Sequence, residues 1–145
     1  MVNSVLLVED DAYKENQIIK LLKMINNHID ITKKHSLNSA MIEISKNSFD
    51  VILLDMSLPT FDNNESEHFK PYGGLLLLDE LKRKHHPSPV IIVTQYTKFG
   101  EGASEKTLDE IKEQCINKYP NFKELIYFLD ASWKEEVKKH ILEEV

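Results

Sequence analysis

A single cysteine, Cys115, stands in the 145 residues, so the chain cannot close an intrachain disulfide and must fold on its core alone. Basic clusters are also missing. Lys and Arg total 18 against 24 Asp and Glu, and the net charge of -6 argues against nucleic acid as a general electrostatic partner. No apolar run approaches membrane-spanning length. The opening residues, MVNSVLLVEDD, turn acidic after one short apolar stretch and lack the basic flank and long apolar core of a signal peptide. With the near-absence of cysteine, this predicts a cytoplasmic protein with no membrane partner. Repeats, low-complexity tracts and linkers are absent too, and the last helical pattern runs almost to Val145. One domain over 1–145, with no output domain after it, is the expectation. Cys115 itself reads as a helix residue without chemical importance.

What is present is an alternation of short apolar runs with helical patterns. Val5–Val8, Val51–Leu54 and Val90–Thr94 carry no polar alternation, as strands covered on both faces do not. Ile29 and Ile31 alternate with polar neighbours, which suits an edge strand, and Leu125–Leu129 reads as a fifth. Between them lie helical spacings. Asp11 caps a helix burying Ile18, Leu21, Leu22 and Ile25, and Ser36 caps one that turns Leu37, Met41 and Ile44 inward. A third follows Gly73 and Gly74 and ends before Pro87 and Pro89. Thr107 and Glu110 form a capping box for a fourth, with Leu108, Ile111 and Cys115, closed by Pro120. Trp133, Val137 and Ile141 recur along the last. Five strand–helix alternations predict an α/β fold, a five-stranded parallel sheet with helices on both faces.

Such a sheet carries its functional groups where the strands end at their carboxyl termini. Glu9, Asp10 and Asp11 close the first strand, Asp55 the third and Thr94 the fourth. Acids brought this close raise one another's pKa unless a cation stands among them. Mg2+ suits such a place because it takes one or two carboxylates, keeps several waters and accepts a phosphate oxygen. The chemistry that follows is phosphoryl transfer with a carboxylate as nucleophile. Taken singly, each acid reads as a helix cap or turn residue, so the inference rests on the combination. His85 and His86, at the end of the third helix, and His68, in a polar loop, lack the paired spacing of a zinc site and read as solvated.

VLLVEDD, VILLDMSLP, GGLLLLDEL and VIIVTQ together resemble the receiver domain of two-component response regulators, over nearly the whole chain. The resemblance implies a flavodoxin-like fold with strand order 2-1-3-4-5. It implies Asp55 as the phosphoacceptor, Asp10 as a direct Mg2+ ligand, Glu9 as a ligand through water, and Ser57 as a ligand through its carbonyl. Thr94 is then the switch hydroxyl and Tyr127 the switch aromatic. The implied partners are a sensor histidine kinase or phosphotransfer protein and a downstream protein that reads the face of the last two helices; turnover beyond the domain's own phosphorylation and dephosphorylation is not implied.

Three features depart from the family pattern. Asp130 stands where the family carries a phosphate-contacting lysine, and Ala131 replaces the proline after it. An anion there would repel a phosphorylated Asp55, and Lys134, Lys98 or Lys123 would have to reach in from nearby to compensate. TFDNNESEHFKPY, residues 60–72, reads as an insertion beside the site, and the stretch from Thr94 to Tyr127 is long as well. Two other functions compete. A phosphorylation-independent interaction module follows if the switch is lost with the lysine. An aspartate-nucleophile phosphatase of the haloacid dehalogenase type needs a second acid where Ser57 stands.

Overall fold

The computed structural model describes residues 2–62 and 71–143. Five strands, β1 (Ser4–Val8), β2 (Asp30–Lys34), β3 (Val51–Leu54), β4 (Val90–Thr94) and β7 (Phe122–Tyr127), form one parallel sheet in the order β2-β1-β3-β4-β7. This is the predicted doubly covered, flavodoxin-like arrangement. The uninterrupted apolar runs have a simple cause: successive side chains point to opposite faces, and both faces are roofed. Val5, Leu7, Val51, Leu53, Ile91 and Val93 pack with α1 (Ala12–Ile25) and α5 (Trp133–Leu142). Leu6, Val8, Ile52, Leu54, Val90 and Ile92 pack with α2 (Leu37–Ile44), α3 (Gly73–Arg83) and α4 (Leu108–Lys118).

The caps are those the sequence predicts. Asp11 accepts from the Lys14 amide, Ser36 accepts from the Ser39 amide, and Thr107 and Glu110 close a reciprocal box. α3 stops at Arg83, with His85 in the left-handed region at φ 52°, before either proline is reached.

Two expectations need correction. The last strand starts three residues earlier than Leu125 and ends at Tyr127, because Phe122 already pairs with Val90 and the Asp130 amide closes a turn onto the Tyr127 carbonyl. Its start was hidden by Lys123 and Glu124, polar residues that a sheet-edge strand tolerates, beside a register shift at Val90/Ile91. Leu129 is exposed.

The stretch after Thr94, read as a loop, contains a small antiparallel hairpin, β5 (Lys98–Phe99) with β6 (Lys106–Thr107), around a 3-10 turn at Gly102–Ser104. Gly100 makes it possible at φ 80°, where a Cβ would also lie 2.7 Å from the Tyr72 hydroxyl. That hydroxyl lies 2.6 Å from both the Phe99 and Ser104 carbonyls, and Phe99 is buried. The extension is therefore docked onto the residue that precedes α3. Of the predicted insertion at 60–72, residues 63–70, His68 among them, lie outside the described residues.

Candidate functional site

β1 and β3 are neighbours, as are β3 and β4, so their carboxyl ends fall side by side. Asp55 follows the last residue of β3 and is 3% exposed. Its Oδ1 accepts from the Met56 amide at 2.7 Å, and its own amide donates to the Val8 carbonyl, which locks it against β1. Gly74 fixes the other side. Its amide donates to the Met56 carbonyl, and a Cβ there would stand 2.9 Å from the Asp55 carbonyl oxygen, so α3 approaches the turn at Asp55 only through a glycine. Thr94, fully buried, hydrogen-bonds toward Asp55 through its hydroxyl, which also accepts from the Tyr96 amide.

The cation at this site comes from α1. Lys14 is 1% exposed, and its Nζ lies 2.6 Å from Glu9 Oε1, 2.9 Å from Gln95 Oε1 and 3.3 Å from Asp55 Oδ2. Three acceptors meet the three protons of the ammonium, so the buried charge is fully partnered. Glu9 Oε2 in turn accepts from the Asp10 and Asp11 amides. Lys98 and Lys123 are exposed, and Lys134 lies over the Trp133 ring, 5.9 Å from its centroid. Among the described residues it is Lys14 that pairs with Asp55.

Asp130, where repulsion was expected, is turned away from that role. Its Oδ1 accepts from the Ser132 amide at 2.9 Å and the Ser132 hydroxyl at 2.8 Å, bonds that hold its carboxyl below the usual range, and it stands in solvent.

The sequence does carry a signal for Lys14. It precedes Ile18 by four residues, so it sits on the same buried stripe as Ile18, Leu21 and Leu22. A lysine on the apolar stripe of a helix whose first turn abuts an acidic strand end is a buried-cation pattern. Gln95 carries no comparable signal.

Burial dominates the electrostatics. It pushes the Glu9 carboxyl up to about 7 against the pull of Lys14, and Asp55 helps to raise it. Asp55 itself is raised by burial, opposed by Lys14, the Met56 amide and Thr94. Asp10 is exposed, yet it too is raised, by partial desolvation and by Asp11, Asp55 and Asp62, against His35. It lines a cavity of about 370 Å3 with Glu15, His35 and Asp62. The His35 Nε2 and a Glu15 carboxylate oxygen are 2.6 Å apart.

A donor set for Mg2+ was expected from Glu9, Asp10, Asp55 and Ser57. No group of three or more His, Cys, Asp or Glu side chains among the described residues is arranged as a metal cluster. Glu9 is engaged by Lys14 and two amides, which suits contact through water rather than direct coordination. Asp55 raises Asp10 rather than relieving it, and Asp10, Glu15 and Asp62 leave an excess of negative charge at the cavity. Two carboxylates and a backbone carbonyl are also the sparse set that Mg2+ completes with water, so these residues fit the ion.

Thr94 and Tyr127 face each other in register on β4 and β7, with Tyr127 half-buried. A larger groove, about 820 Å3, opens at the opposite edge of the sheet among Lys82, Arg83, His85, His86 and Lys123 and holds none of these acids. There His86 is not simply solvated: its Nδ1 accepts from the Ser88 amide, so Nε2 carries the proton and donates to the Asn47 carbonyl.

The sequence matches the family model described as the response regulator receiver domain over residues 5–130. It is 27% identical over 147 aligned residues to the Detocs response regulatory protein DtcB of Enterobacter cloacae (strain JD6301), covering 96% of this chain and 98% of that protein. A DtcB from Vibrio alginolyticus is 33% identical over 97 residues, 63% of this chain and 65% of the other. Among solved structures, a CheY-like response regulator receiver domain from Methanospirillum hungatei JF-1 superposes with a TM-score of 0.66 at 17% identity, over 99% of this chain and 97% of that one. The receiver domain of the sensor histidine kinase PA1611 from Pseudomonas aeruginosa PAO1, which holds a magnesium ion in its active-site cleft, also gives 0.66, at 16% identity, over 99% and 97%.

Proposed function

Because this chain belongs to the response regulator receiver domain family, we propose that it accepts a phosphoryl group on Asp55 in a magnesium-dependent phosphorelay and signals by protein–protein contact. One observation carries the reading: a buried carboxylate at the end of β3 meets a buried hydroxyl, Thr94, and a buried ammonium, Lys14. The Met56 amide fixes Oδ1 and Lys14 faces Oδ2, so the carboxylate is oriented before a donor arrives. Thr94 stands where a phosphoryl oxygen would find a donor, and Tyr127 lies beside it in register.

Asp10 and Asp55, with the Ser57 carbonyl, would hold the ion, and Glu9 would act through water. Bound Mg2+ neutralises charge on the transferring group. Receiver domains take their phosphoryl group from histidine kinases or phosphotransfer proteins, and a kinase of that class is the proposed partner. The near-complete overlap with the Enterobacter DtcB supports a stand-alone regulator, placed in the cytoplasm, whose output surface is formed by α4 and α5. The described residues contain no helix long and apolar enough to cross a membrane.

The test is incubation of the full chain with Mg2+ and a small-molecule phosphodonor, followed by intact mass. The wild type gains one phosphoryl group, Asp55→Asn gains none, and the adduct disappears when Mg2+ is chelated. A wild type that stays unmodified overturns the reading in favour of a phosphorylation-independent module.

A further inference from the structure

The site has a complete cationic half, but it is delivered by a different element from the one the family pattern uses. We propose that Lys14, from the first turn of α1, is the residue that contacts the phosphoryl group on Asp55 and stabilises its transfer. The proposal rests on Asp55 being the acceptor.

Geometry supports it in three ways. Nζ is 3.3 Å from Asp55 Oδ2, the longest of its three polar contacts, so an oxygen added at Asp55 is within reach of a small swing of the lysine stem. The amine also bonds Gln95, the residue after Thr94, so it lies between the acceptor and the segment that carries the switch hydroxyl. And the family's lysine position is spent elsewhere, because Asp130 folds onto Ser132 in solvent.

The chemistry needs charge, not a proton. With an acyl phosphate donor, an Asp55 carboxylate oxygen forms a bond to phosphorus. The bond from phosphorus to the bridging oxygen breaks, and its electron pair leaves with the carboxylate product. Nothing is oxidised or reduced, and Lys14 keeps its three protons throughout. The product carries about two negative charges and three acceptor oxygens beside the ammonium. A charge-assisted hydrogen bond is among the stronger interactions available there.

The experiment compares labelling rates from acetyl phosphate with Mg2+ for wild type, Lys14→Met, Lys14→Arg and Asp55→Asn, each checked for fold by circular dichroism. Lys14→Met is expected to label on the order of 10- to 100-fold more slowly, the loss of one charge-assisted contact, while Lys14→Arg recovers part of the rate. Labelling of folded Lys14→Met at the wild-type rate, with Asp55→Asn unlabelled, overturns the role of Lys14 and leaves the acceptor standing. An unlabelled wild type overturns both.

A second measurement needs no mutant to fold. In wild type with 15N-labelled lysine side chains, addition of beryllofluoride and Mg2+ should move the Lys14 Nζ signal more than any other lysine's, alongside the amides of Thr94 and Tyr127. Movement of those amides with an unmoved Lys14 signal overturns the proposal alone.

Discussion

Two turns at the carboxyl edge of the sheet, one leading into α1 and one into α5, are built from similar parts and do opposite things. Each begins with an aspartate that accepts a backbone amide from a residue ahead of it: Asp11 from Lys14, Asp130 from Ser132. In the first, the residue whose amide is capped sends a lysine side chain down into the acid cluster. In the second, the capped residue is a serine whose hydroxyl only doubles the cap. The family pattern puts its cation at the second turn, and this chain has it at the first. A positive charge is placed beside Asp55 here from α1, and on the role proposed for Lys14 an aspartate at position 130 need not disable the site.

The comparison breaks hardest at Lys14. Lys14→Met leaves Glu9 and Asp55 facing each other in a dry site, and removing one partner of a buried ion pair costs about 3–5 kcal/mol. Urea unfolding at pH 8 should show most of that loss. At pH 5 the loss should shrink, because Glu9, already pushed up to about 7 with Lys14 present, takes up a proton. In the wild type the sign follows from the same shift. The folded Glu9 carboxyl binds a proton more tightly than the unfolded one, so its contribution to stability is present below about 4.5 and is lost as pH rises through about 7. Metal-free wild type should therefore be more stable at pH 5 than at pH 8 as far as Glu9 governs it. A stability flat across that interval would show that Lys14 fully offsets the burial of Glu9.

A smaller effect is expected at the cap that positions the lysine. Asp11→Ala removes the side-chain acceptor for the Lys14 amide and should cost about 1 kcal/mol, as N-cap truncations do. If the cap also aims Lys14, the variant's labelling rate falls along with its unfolding midpoint. Asp11→Asn, which keeps an acceptor, should restore both.

Much of this site was legible in the sequence, and the exceptions have physical reasons. Asp55 and its strand were visible because four apolar residues ending on Asp55 describe a strand roofed on both faces. Thr94 was visible for the same reason. The caps at Asp11, Ser36 and Thr107 were visible because a capping side chain and its partner lie within three residues. Lys14 was not legible as a partner of Asp55 because the two are far apart in the chain, whereas the carboxyl edge of a parallel sheet gathers residues from every strand end. The Phe99–Lys106 pairing was hidden because two-residue strands have no period to read, and its anchor, Tyr72, belongs to a different segment. The start of β7 was missed because a strand on the sheet's margin can carry Lys123 and Glu124.

The least effect, and the sharpest discrimination, is expected at Asp130. Asp130→Lys restores the family's residue to its place in the pattern. In the wild-type background it should leave the labelling rate within about twofold, since the charge-assisted contact is already made by Lys14. The unfolding midpoint should fall less than at Asp11, because only exposed bonds to Ser132 within the same turn are lost. In the Lys14→Met background the same substitution should raise the rate, because the new lysine then has a vacant role at the acceptor. The two backgrounds are coupled only if both lysines serve one phosphoryl group, and a double-mutant cycle reads that coupling directly. Equal effects of Asp130→Lys in both backgrounds would mean that the two turns are not interchangeable and that the lysine of α1 holds the acids together without attending to what Asp55 carries.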